Sequence, residues 1–270
     1  MSSLTLRIIS ALVLLGMAVG IYLGFGNLGI TILIYISISI SQVEFMGLCL
    51  TGTRKLFRAG FLALSQVYLI LSLALPALKG VDPTKTAIQL FVFICFIGLI
   101  SPKDTIKETR DDIFAATFGF FYLSIIPSLL LLTLNKNPDL YLELFSLLLV
   151  TVFAGDTFAY FSGLLFGKKK VLPLISPKKT IVGCVGGLLG SVLIGTTFYY
   201  LFISKEIVIG IPVMCFLMGL YGQTGDFLES LLKRISGKKD SSRLIPGHGG
   251  VLDRIDGVLL AIPALYLYFF

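Results

Sequence analysis

IVGCVGGLLGSVLIGTTFYYLFI, residues 181–203, runs without one charged side chain. A helix rises 1.5 Å per residue, and about 20 mostly apolar residues cross the hydrocarbon of a bilayer. The same texture repeats outward from this run, at 8–23, 28–50, 59–78, 87–100, 113–134, 140–166, 207–225 and 257–270. The fourth and the last stretch are short, which tilting or polar flanks accommodate. The whole chain of 270 residues is 56% hydrophobic and 14% charged, with mean hydropathy +0.95. A soluble fold of that composition has too few charges to coat its surface. These observations predict an all-α polytopic membrane protein of about nine transmembrane helices. Residues 1–134 hold about five spans, and residues 135–270 about four spans with two loops at one membrane face. The first stretch follows Arg7 as a secretory signal does, but no small-residue cleavage site leads into a soluble chain, so a retained helix is expected.

Net charge is +7, and its placement excludes a nucleic-acid reading. Threading nine spans alternately, with the N-terminus inside, puts 18 Lys and Arg on one side and four (Lys79, Lys85, Lys136 and Lys205) on the other. That asymmetry follows the positive-inside rule, with a cytoplasmic N-terminus. Cys49, Cys95, Cys184 and Cys215 are scattered through apolar runs and read as packing residues. Gly24, Gly26 and Gly29 match a dinucleotide motif formally. Between two spans they predict a tight turn instead. Gly183, Gly187, Ser191 and Gly195 recur every four residues, a ridge for close helix packing within the chain or across a homodimer. Gly16, Gly20 and Gly24 form a weaker one. Glu44 stands inside the second stretch, either functional or neutralised near the cytoplasmic end by Arg54 or Lys55.

Chemistry gathers in three clusters on the expected cytoplasmic side. Asp156 lies in the sixth apolar run, where a carboxylate needs a cation or donors. Lys168, Lys169 and Lys170 follow, then Ser176-Pro177-Lys178-Lys179-Thr180 at the start of the 181–203 helix. A helix N-terminus favours an anion, and cations crowded there make a polyphosphate the preferred ligand. The third cluster, residues 222–257, holds Asp226, Glu229, Asp240, Asp253 and Asp256 among six basic residues. Lys233, Arg234 and Asp240 suit a salt-bridge lattice. Asp226, Asp253 and Asp256 suit a hard cation such as magnesium, which takes one or two carboxylates plus substrate oxygens. His248, between Gly247 and Gly249, is a secondary contact for phosphate or proton. Polyphosphate, acids and lipid on one face point to phosphoryl or nucleotidyl transfer between a nucleotide and a lipid, an enzyme's work of positioning and charge neutralisation.

At these residues the sequence resembles the phosphatidate cytidylyltransferases (CDP-diacylglycerol synthases). The run KRISGKKDSSRLIPGHGGVLDRID, residues 233–256, looks like the family signature. GDTFAYFSGLLFGKKK, SPKKT and GDFLES match its upstream segments. The resemblance covers the C-terminal half strongly and the N-terminal half only as a set of spans. It implies that CTP and phosphatidate give CDP-diacylglycerol and pyrophosphate, with magnesium, alone or with a second cation. It implies metal ligation by Asp226, Asp253 and Asp256, and nucleotide phosphates held by Ser176, Lys178, Lys179 and Thr180. Lys233, Lys239, Asp240, His248 and Arg254 would line the reacting centre, and Asp156 would close the polar cavity. Val182 departs from the Glu or Gln that relatives often carry two residues after the Thr. Cytosine selectivity rests on the resemblance alone. The expected setting is a bacterial-type inner membrane with the site facing the cytoplasm, and with CTP, phosphatidate and the bilayer as partners.

Two rival readings remain at this stage. A transporter would spread polar residues through mid-membrane positions, and here they collect at one face. A nucleotide-dependent lipid kinase is closer in chemistry, but it would pass the γ-phosphate to the lipid.

Overall fold

Gly26 divides residues 3–49 into two helical arms. The computed structural model describes residues 3–74, 83–100, 103, 105–204, 208, 210–247 and 249–270. Within α1 (Ser3–Cys49), Gly26 takes φ 56° and ψ −136°, which breaks the helix. The chain doubles back tightly, since a methyl on Gly29 would stand 2.5 Å from the Ile21 carbonyl oxygen. The three glycines thus serve a turn between apolar arms. Positive φ is open to glycine at little cost.

The described residues form two compact units: 3–74 with 83–132 and 236–254, and 133–235 with 255–270. The first contains α1, α2 (Lys55–Ala74), α3 (Pro83–Ile100) and α4 (Ile106–Phe120). Thr105 caps α4 by accepting a hydrogen bond from the Glu108 amide at 3.2 Å. One π turn (Phe121–Ile125) then leads into α5 (Ile126–Lys136). Pro127 lies just past that turn and has no N–H to give to the carbonyl four residues back, Leu123. Gln42 Nε2 donates to that carbonyl instead, at 2.9 Å. Gln66 Nε2 donates to Gln42 Oε1 at 2.6 Å, and Tyr35 donates to Gln66 Oε1 at 2.5 Å. Polar side chains therefore tie α1, α2 and the π turn together, as interhelical hydrogen bonds do in apolar surroundings.

The second unit holds α6 (Tyr141–Phe166), α7 (Ile181–Phe202), α8 (Gly210–Ile235) and most of α9 (Leu252–Phe269). Between α6 and α7 stands an antiparallel ribbon, β1 (Lys170–Leu172) and β2 (Ser176–Thr180), with Lys170 opposite Thr180. It adds the one sheet among the described residues to an otherwise helical chain.

Each predicted apolar stretch is helical over most of its described residues, with Leu50, Ile203, Val208 and Phe270 outside the helices. Among the described residues, five helices are long and apolar enough to cross a membrane: Leu15–Cys49, Lys55–Leu73, Ile106–Lys136, Pro138–Phe166 and Ile181–Phe202. The difference from nine has local causes. Leu15–Cys49 covers two stretches on either side of Gly26. The apolar part of α3, Thr86–Ile100, is short. The last turns of α8 carry Asp226, Glu229, Lys233 and Arg234, and α9 opens on Asp253, Arg254 and Asp256. Charge at a helix end lowers its average hydropathy without shortening the helix.

Candidate active site

The ridge on α7 faces α6. A methyl on Gly187 would stand 2.9 Å from the Gly155 carbonyl oxygen, and one on Gly183 would stand 2.9 Å from that of Ala159. Ser191 Oγ donates to the Thr151 carbonyl at 3.0 Å. The packing predicted from the four-residue spacing is thus made within the chain, and it brings the two backbones together. At the head of this seam Thr180 caps α7, its hydroxyl accepting from the Gly183 amide at 3.1 Å. The Ile181 amide donates to the Lys169 carbonyl at 3.0 Å. Two of the helix's first N–H groups are therefore already satisfied by protein. Anion attraction at this end rests more on the lysines than on bare amides.

A cavity of about 510 Å³ opens beside this cap. Asp156 on α6, Lys178, Lys179 and Thr180 on β2, and Asp226 on α8 all line it, so five residues singled out in the sequence meet there. Ser176, at the start of β2, is not part of its wall. Lys170 and Gln223 add to the polar lining, with Tyr160 and Cys184. Gln223 was overlooked in the sequence, although it lies three residues before Asp226 and so on the same helix face. Lys170 stands in the sequence only as the last of three consecutive lysines. Lys179 Nζ lies 2.5 Å from Asp226 Oδ2 and 4.6 Å from the centre of the Phe227 ring.

Behind Asp226 the site turns acidic. Glu229 is buried and ion-paired to Lys233 one turn on. Asp256 is buried too, and its carboxyl is held well above the usual range. Burial is the main cause, and the negative charges of Asp226 and Glu229 add to it. Lys233 and the Gly257 backbone act the other way. Among the described residues no three His, Cys, Asp or Glu side chains stand together as a metal-holding group.

Residues 236–254, the middle of the signature, belong to the other unit. Lys239, Asp240 and Arg254 line a cavity of about 530 Å³ there, with Ser242 and Arg243. Ile245 and Gly249 exchange backbone hydrogen bonds at 2.8 and 3.1 Å, closing a small loop. His248 lies outside the described residues. Asp253 Oδ2 accepts from the Ser241 amide at 2.9 Å, the Ser241 hydroxyl at 2.8 Å and the Gly250 amide at 2.8 Å. Glu44 takes no partner from Arg54 or Lys55. Its carboxylate accepts from Ser241, Ser242 and the amides of Val251 and Leu252.

Residues 5–270 match the model of the cytidylyltransferase family. A phosphatidate cytidylyltransferase of Thermotoga maritima is 33% identical over 213 residues, covering 75% of this chain and 76% of that protein. One from Haemophilus influenzae is 38% identical over 178 residues, covering 63% and 62%. One from Staphylococcus aureus (strain COL) is 32% identical over 206 residues, covering 75% and 76%.

Proposed function

The chain belongs to the cytidylyltransferase family, and on that premise we propose that it joins CTP to phosphatidate, giving CDP-diacylglycerol and pyrophosphate. One observation carries the reading: the second unit alone gathers Asp156, Lys170, Lys178, Lys179, Thr180 and Asp226 around a single cavity at the head of an apolar helix pair. A nucleotide triphosphate needs clustered cations, and a lipid substrate needs an apolar body beside them.

In this reading a phosphate oxygen of the lipid attacks the α-phosphorus of CTP. The bond between the α-phosphorus and its bridging oxygen breaks, and pyrophosphate leaves with that oxygen. The attacking group is already anionic, so no strong general base is required. Lys178, Lys179 and Thr180 bind the nucleotide phosphates, with Ser176 at the edge of the ribbon, and Asp156 closes the polar end. Lys233, Lys239, Asp240, His248 and Arg254 serve the reacting centre. Asp226, Asp253 and Asp256 are the residues that would hold magnesium. The donor set fits a hard cation, being all oxygen, and Asp256 sits among like charges that a cation would relieve. Such an ion usually takes only one or two carboxylates and completes its shell with substrate oxygens. When bound, it would offset the repulsion between two anionic substrates.

The nine-span threading with a cytoplasmic N-terminus, supported by the 18-to-4 split of basic residues, puts the site on the cytoplasmic face of a bacterial cell membrane. With α7's ridge packed on α6, self-association falls to Gly16, Gly20 and Gly24, where added methyls would meet nothing within 4 Å. The deciding experiment incubates purified protein with phosphatidate, magnesium and CTP labelled at the γ-phosphate. Label in pyrophosphate, with CDP-diacylglycerol formed, is expected. Label in lipid would make it a kinase, and no lipid product would sink the reading.

A further inference from the structure

Glu44 lies far from the signature in sequence, in the second arm of α1, yet it is 6% exposed and fully engaged by that segment. Its Oε1 accepts from the Ser242 hydroxyl at 2.6 Å and the Val251 amide at 3.0 Å. Its Oε2 accepts from the Leu252 amide at 2.8 Å and the Ser241 hydroxyl at 3.1 Å. Val251 stands just before α9, Leu252 opens it, and Asp253 and Arg254 follow directly. A second tether runs beside it, from Lys238 Nζ to the Gly47 carbonyl at 2.6 Å.

We infer that Glu44 is a positioning residue for cytidylyl transfer: its carboxylate caps α9 from another helix and fixes where Asp253 and Arg254 stand. The chemistry is specific to a carboxylate. Each oxygen faces one backbone N–H, and a backbone N–H cannot reverse its role. A glutamine at this position would satisfy one amide and turn its NH2 on the other. The hydroxyls of Ser241 and Ser242 can rotate to adapt; the two amides cannot. Gly250 completes the fit, since a methyl there would stand 2.5 Å from Glu44 Oε1.

This inference rests on the proposed reaction, and the test separates the two. Full-length wild type, Glu44→Gln, Glu44→Asp and Gly250→Ala are assayed in detergent with CTP, phosphatidate and magnesium, alongside gel filtration and melting temperature. The expected result is a kcat lowered roughly 10–100-fold in Glu44→Gln, with KM for both substrates within about threefold of wild type by the same argument. Glu44→Asp, a poorer size match with both acceptor oxygens, should recover more kcat than Glu44→Gln. Absence of product from wild type would overturn the proposed reaction itself. An active wild type with a folded Glu44→Gln of near-normal kcat would overturn this inference alone, as would a loss confined to KM. If Glu44→Gln does not fold, a folded Gly250→Ala with unchanged kcat overturns it equally.

Discussion

Lys179 Nζ and Asp226 Oδ2 are 2.5 Å apart, a basic residue of the ribbon held by an acid from α8. The lysine expected to meet phosphate and the aspartate expected to meet metal thus neutralise each other. Substrate and cation binding would then exchange one ion pair for two, Lys179 turning to phosphate and Asp226 to the cation. With both side chains partly exposed, the starting pair is screened by solvent and easily given up.

Lys179→Ala should raise KM for CTP about tenfold or more, since a hydrogen bond to a charged group is worth about 1.5–3 kcal/mol. KM for phosphatidate should change far less. Steady-state kinetics varying each substrate separately checks this. Equal KM for CTP in both proteins would remove Lys179 from the phosphate site.

Asp253→Asn should abolish turnover in a protein that still folds. The asparagine oxygen can take the place of Oδ2 and keep the donors from Ser241 and Gly250. Its NH2 cannot ligate a cation. A melting temperature near that of wild type with no CDP-diacylglycerol formed is the expected pair of measurements, and normal activity would refute the metal assignment.

Removing divalent ions with a chelator should stop product formation, and titrating magnesium back should restore it. Turnover that persists after exhaustive chelation would leave the acids around Asp256 with a structural role only.

Gly187→Ala should destabilise the protein by about 1–3 kcal/mol, because its methyl meets backbone that cannot rotate away. Gly20→Ala, with nothing within 4 Å, should be neutral or slightly stabilising. Thermal melting in detergent compares them. Equal effects would mean that the α6–α7 seam is looser than its geometry.

Local signals were readable in the sequence, and long-range ones were not. The uncharged run from 181 places Thr180 at a helix start, while its role as the cap is visible only in the structure. Gly26 announced a turn between apolar arms. The ribbon at 170–180 gave no alternation, because lysines and Pro177 occupy it and its pairing spans only a few residues. Glu44 could not be assigned, since its partners lie almost two hundred residues on. Asp226 and Lys179 each stood out alone, but only folding revealed that they meet. Span boundaries are least legible in α8, where an apolar start continues as a charged helix of unchanged geometry.

The α6–α7 seam has a mechanical consequence. Its contacts bring backbone close to backbone at Gly183 and Gly187, with Ser162, Ser191 and the Phe158 ring filling the rest, so the two helices are expected to move as one. Asp156 and Thr180, carried on that pair, then form a fixed jaw. Whatever widens the pocket for a bulky entrant must be the ribbon tip or α8, and the Lys179–Asp226 link is the latch across that opening.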